Sequence, residues 1–111
     1  MYVEFDNKDN ILVVSLNGEL DHHSAEEVRT KLDDKIEREN INKVILDFKN
    51  VMFMDSSGIG VVLGRYRKIQ DMNGKIALVN VNSRVNKVFE LSGIYKIIES
   101  YMSIDKAILN F

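Results

Sequence analysis

Tyr2 to Phe5 and Ile11 to Leu16 read as strands, and Asn7-Lys8-Asp9-Asn10 between them reads as the turn of a hairpin. Gly18 closes the second strand, and Asp21-His22-His23-Ser24 opens a helix. Its inward stripe is Ala25, Val28, Leu32 and Ile36, with Glu26 and Glu27 in the first turn, where the helix dipole favours acids. Asn40-Ile41-Asn42 breaks that helix before an apolar strand from Val44 to Phe48. A second helical period starts at Ile59 and runs to about Gln70, with Ile59, Val62, Leu63, Tyr66 and Ile69 on one side. Asn73-Gly74 ends it, and Ile76 to Val79 is the next strand. Ser83 is placed to cap a third helix through Val85, Val88, Phe89 and Leu91, stopped by Ser92-Gly93. Ile94 to Glu99 reads as a short last strand, and Ser103 as the cap of a terminal helix with Ala107, Ile108 and Phe111. The order β-β-α-β-α-β-α-β-α predicts an α/β fold: a small mixed sheet of four to five strands, crossed by about four helices.

Composition narrows this picture more than it adds to it. The 111 residues suit one domain, 1–111, able to bury a core without staples. The net charge of −2 is spread along the chain with no basic stripe, which argues against binding nucleic acid through its phosphates. The longest apolar runs, Ile11 to Val14 and Ile59 to Leu63, fall far short of the ~20 residues that span a membrane, so no membrane partner is expected. No charged-then-apolar leader opens the chain. The absence of cysteine excludes disulfides and thiolate chemistry and agrees with a cytoplasmic location.

Chemistry concentrates at Asp55-Ser56-Ser57-Gly58, between the Val44 strand and the second helix. One Ser or Asp side chain satisfies an orphan amide at a helix start, worth roughly 1 kcal/mol, so the run holds a surplus hydroxyl. That hydroxyl sits where an anion is welcome, which makes Ser56 or Ser57 a candidate for modification, anion contact or catalysis. Catalysis fits poorly. A nucleophile elbow needs glycine two residues before and two after the serine, and Met54 or Asp55 stands at the first of those places. The adjacent His22 and His23 diverge at a helix start and lack a third patterned ligand, so no metal is expected. Gly58, Gly60 and Gly64 match neither phosphate-loop pattern, since Arg65 follows Gly64 and Leu63 stands at the third glycine of the dinucleotide motif. Gly60 and Gly64 nonetheless cost about 1 kcal/mol each in a helix. Close packing inside the domain and a smooth face for a partner explain them equally well. Asp21 reads as a helix cap. If its strand lies beside the one ending near Phe48, Asp21 and Asp55 share one sheet edge with Ser56.

Phe53-Met54-Asp55-Ser56-Ser57-Gly58-Ile59-Gly60-Val61-Val62-Leu63-Gly64-Arg65-Tyr66 resembles the signature of bacterial anti-anti-sigma factors, whose fold is the STAS domain. Gly18-Glu19-Leu20-Asp21-His22-His23-Ser24-Ala25-Glu26 resembles the sporulation branch of that family, the antagonists of anti-sigma F factors, and so does Phe89-Glu90-Leu91-Ser92-Gly93 with Tyr95-Lys96-Ile97-Ile98. The resemblance implies a regulator without catalytic activity or cofactor. Its first serine after the aspartate, here Ser56, would be phosphorylated by an anti-sigma factor that is an ATP-dependent serine kinase. The unphosphorylated form would bind that kinase and release the sigma factor, and a serine phosphatase would restore it. Asp21, Asp55, Ser56, Ser57, Gly58, Gly60, Gly64 and Arg67 are the expected partner surface. The alternatives are an antagonist in a general-stress pathway and a nucleotide-binding STAS module.

Overall fold

The computed structural model describes residues 1–111. Its five strands are β1 (Tyr2–Lys8), β2 (Ile11–Leu20), β3 (Lys43–Met54), β4 (Lys75–Val79) and β5 (Glu99–Tyr101). Its helices are α1 (Ala25–Arg38), α2 (Ser56–Asp71), α3 (Ser83–Ser92) and α4 (Ile104–Ile108). The strands form one sheet in sequential order, with β1 antiparallel to β2 and every later pair parallel. The expected α/β class and element order are therefore present.

Alternation within the strands sorts the layers. Leu12, Val14 and Leu16 of β2, with Val44, Leu46 and Phe48 of β3, face the main core, where Val28, Leu32, Ile36, Val62, Ile69, Val85 and Phe89 come down from α1, α2 and α3. Phe48 and Phe89 meet edge to face at 5.1 Å, pinning α3 to the sheet. The opposite face carries Ile11, Val13, Ile45 and Val79 and is covered by α4 through Ala107.

Four boundaries differ from the sequence reading. Gly18 does not end β2. It lies inside it at φ +117°, among register shifts at Ser15/Asn17 and Gly18/Glu19. A left-handed φ is what glycine tolerates, so the strand passes through and continues to Leu20. β3 likewise runs to Met54, well beyond Phe48. Since β4 ends at Val79, opposite Asp47, the ends of β2 and β3 project past it as a two-stranded ribbon. The third helix is capped by Asn82, not Ser83: its side chain accepts from the N–H groups of Arg84 and Val85, while its amide donates to Val51 O. Finally, Ile94–Lys96 is a 3₁₀ turn, and the last strand is Glu99–Tyr101. Ser103 does cap α4, accepting from the Lys106 N–H.

Candidate functional site

The ribbon carries two chain segments to one place. Leu20 pairs with Met54 at its end, and the Asp55 N–H donates to Leu20 O. Asp21 and Asp55 follow directly, so the expected meeting of these two segments at one sheet edge occurs. Asp55 is the N-cap of α2. One carboxylate oxygen accepts from the Ser57 N–H at 2.8 Å and the other from the His22 N–H at 3.3 Å. A single side chain thus caps the helix and ties the β2–α1 turn to it.

Asp21 caps that turn, not α1 itself. Its Oδ1 accepts from the N–H groups of His23 and Ser24 at 2.9 and 3.1 Å. Desolvation pushes its pKa up, but these backbone hydrogen bonds, with the His23 charge and the Ser24 hydroxyl, outweigh it and hold the carboxyl below its ordinary value. Ser24, the formal N-cap of α1, accepts no capping bond; its hydroxyl donates to Glu19 O at 2.7 Å.

With Asp55 doing the capping, neither serine hydroxyl is used. Ser56 is the first residue of α2, exposed and free of side-chain hydrogen bonds, so both hydroxyls of the run are surplus. A β-carbon on Gly58 would lie 2.3 Å from Met54 Cγ and 3.1 Å from Leu20 Cγ, so the helix start packs on the ribbon only because a glycine stands there. At Gly60 and Gly64 an added β-carbon would meet nothing within 4 Å. Of the two readings of these glycines, packing inside the domain is therefore excluded. Ser56, Gly60 and Arg67 are exposed on one stripe of α2, with Arg67 roughly 16 Å along the helix from Ser56.

Arg65 was not singled out by its motif. It is a charged residue on the apolar stripe between Val62 and Ile69, and it is only 6% exposed. Its Nε lies 2.9 Å from Asp33 Oδ1 of α1, and its Nη1 is buried without a hydrogen-bond partner. Burial lowers the guanidinium pKa, Asp33 raises it, and nearby Arg29 lowers it again. The stripe position is the sequence signal; the partner on another helix has none. No group of three or more His, Asp or Glu is placed to hold a metal, and no helix is long and apolar enough to cross a membrane.

A STAS domain family model matches residues 2–107. An anti-sigma F factor antagonist of Paenibacillus polymyxa is 41% identical over 91% of this chain and 86% of its own. An anti-sigma-B factor antagonist of Bacillus subtilis is 31% identical over 87% of each. Among solved structures, the anti-sigma factor antagonist SpoIIAA matches in its unphosphorylated form (29% identity, 98% of this chain and 96% of that one, TM-score 0.76). The phosphorylated form from Bacillus matches equally well (33% identity, 98% of each chain, TM-score 0.76). A small α/β domain with its junction motif at an exposed helix start, matched over nearly its whole length, belongs to the STAS domain family, with anti-sigma F factor antagonists among its relatives.

Proposed function

We propose that this chain is an anti-sigma factor antagonist controlled by phosphorylation of Ser56. The unphosphorylated form binds an anti-sigma factor that is also an ATP-dependent serine kinase and so releases the sigma factor. Phosphate on Ser56 ends binding, and a serine phosphatase restores it. The observation that carries this reading is the free, exposed Ser56 hydroxyl at the start of a helix already capped by Asp55. The name of the Paenibacillus relative and the two solved states of SpoIIAA support it.

The physics of the switch follows from the position. Phosphate adds about −1.5 to −2 charges and three strong acceptors. At a helix start the free amides and the dipole suit an anion, so the domain keeps its fold. The equal likeness to both forms of SpoIIAA agrees with that. The effect then falls on the binding face. A close contact over Ser56 has no room for the group, and Asp21 and Asp55 stand near it. Inverting a complex from 99:1 bound to 1:99 takes about 5.5 kcal/mol. Desolvating an unpaired charge at an interface costs several kcal/mol, whereas screened surface repulsion alone contributes about 1 kcal/mol or less.

Incubation with a candidate anti-sigma factor and ATP, followed by mass spectrometry, tests this. Phosphate should appear on Ser56, vanish in Ser56→Ala and persist in Ser57→Ala; the reverse pattern overturns the assignment. Ser56→Asp should keep the circular dichroism of the wild type and bind weakly. The Bacillus subtilis relative supports a second reading, an antagonist in a general-stress pathway. Capture by an anti-sigma-B factor in preference to an anti-sigma F factor selects it.

A further inference from the structure

Two charged residues are buried, Arg65 and Asp47. Arg65 meets Asp33, whereas Asp47 takes part in none of the ion pairs of the molecule. Asp47 Oδ1 instead accepts from the Lys49 N–H at 2.9 Å and from the Asn80 side-chain amide at 3.1 Å. Both partners hold special backbone positions. Lys49 belongs to a bulge, in which Phe48 and Lys49 of β3 stand opposite Leu16 alone, and bulges re-aim side chains. Asn80 follows β4 in the left-handed region, at φ +56°.

Lys49 and Asn80 line one cavity of about 810 Å³. It lies at the carboxyl ends of β4 and β5, where the chain leaves for opposite faces of the sheet, through α3 on one and α4 on the other. Crevices at such switch points are where open α/β sheets take ligands, and the volume suits a small molecule. Its apolar wall is Val81, Tyr95 and the buried Ile98, with Met102 at the mouth.

We propose that this cavity binds a small organic anion, a carboxylate or a phosphate monoester on an apolar body, with Lys49 as its counter-ion. The hydrogen-bond balance of the wall selects the charge. Three acceptors are engaged: Asn82 Oδ1 by the Arg84 and Val85 N–H groups, Asn86 Oδ1 by the Tyr95 hydroxyl at 2.6 Å, and one Glu99 oxygen by the Tyr101 hydroxyl. Donors remain. Lys49 is in no ion pair, and Asn80 and Asn82 each spend one amide hydrogen, on Asp47 and on Val51 O, and keep the second. Burial raises the Tyr95 pKa, and the Glu99 hydrogen bond pushes that of Tyr101 up to about 12, so neither ring becomes an anion that would repel the ligand. Glu99 is the one acid of the lining, and it stands on β5, two strands away from Lys49 on β3. The charged end of the ligand therefore points to Lys49, and its body lies on Tyr95 and Ile98.

NMR titration of the full chain with benzoate, phenyl phosphate and benzamide tests this. At least one anion should shift the amides of Lys49, Asn80 and Tyr101 saturably, and the tighter of the two identifies the head group. Benzamide, which has the shape of benzoate without its charge, should bind at least tenfold more weakly than that anion. Lys49→Gln should weaken the anion at least fivefold, whereas Lys8→Gln, at the opposite edge of the sheet, should leave it unchanged. If Lys49→Gln fails to fold, the benzamide comparison decides alone. No saturable shift with either anion, equal binding of benzamide, an equal loss in both variants, or shifts confined to the Ser56 turn would each overturn the proposal.

Discussion

The starts of α2 and α3 are built alike and face the same end of the sheet. Each follows a parallel strand, each has an Asx side chain as N-cap, and each places an exposed serine at the first helical position, Ser56 in one and Ser83 in the other. They differ in what surrounds the serine. Asn82 spends its side chain on α3 and on Val51 O, within its own neighbourhood. Asp55 reaches across to His22, so a second chain segment is fastened beside Ser56. After Ser83 come Arg84 and the buried Val85; after Ser56 come Ser57 and Gly58, then Gly60 and Gly64 with open space around them. A capped helix with a spare hydroxyl is therefore common to both. The bare glycine face and the paired turn belong to α2 alone.

The largest effect that separates the two starts belongs to the third helical position. Val85 fills it in α3, whereas in α2 the side chains of Met54 and Leu20, 5% and 0% exposed, already occupy that space. Gly58→Val should therefore destabilise by about 1–3 kcal/mol through overpacking, read as a lower denaturant midpoint. An unchanged midpoint would mean that the α2 start is as roomy as that of α3.

Next come the caps. Asp55→Ala and Asn82→Ala should each cost about 1 kcal/mol in denaturant unfolding. Only Asp55→Ala should also loosen the β2–α1 turn, seen as faster amide exchange at His22. Equal exchange at His22 in both variants would erase the distinction drawn between the two caps. Gly60→Ala acts in the opposite direction and should stabilise by up to about 1 kcal/mol, because nothing in the domain occupies the space.

Smaller still are the serines. A Ser56 that capped its helix would cost about 1 kcal/mol on replacement by alanine. Since Asp55 does the capping, Ser56→Ala and Ser83→Ala should both stay within roughly 0.5 kcal/mol of the wild type. Their difference should lie wholly in phosphate incorporation.

What could be read from the sequence follows the range of each interaction. The Asp55–Gly58 junction was legible because capping and helix dipoles act within one turn. The element order was legible because the apolar periods are strong. The ends of β2 and β3 were hidden by register shifts that only pairing reveals, with Gly18 passing through a bulge. Asn82 and Ser83 are both good caps, and the choice fell to Asn82, whose amide also reaches Val51 O. The role of Arg65 depends on Asp33, a residue of another helix with no spacing rule to announce it. Gly60 and Gly64 carried a visible helix cost, but only the structure shows that nothing in the domain lies within 4 Å of a β-carbon there.

The turn before α1 gives the smallest and most local prediction. Asp21 does there what Asn82 does for α3, accepting two backbone N–H groups with one oxygen. The ionised carboxylate accepts better than the neutral acid, so its folded pKa lies below the unfolded one. The stabilisation is then complete above the unfolded pKa and is lost as pH falls through the depressed folded value. An NMR titration of the carboxyl carbons should find Asp21 among the last aspartates to protonate, with the His23 and Ser24 amide shifts following the same midpoint. Asp21→Asn keeps an acceptor oxygen and removes the charge, so it should hold the turn while abolishing that titration. An ordinary midpoint for Asp21 would mean that the turn is held by the backbone bonds of Ser24 and Ala25 to Asp21 O alone.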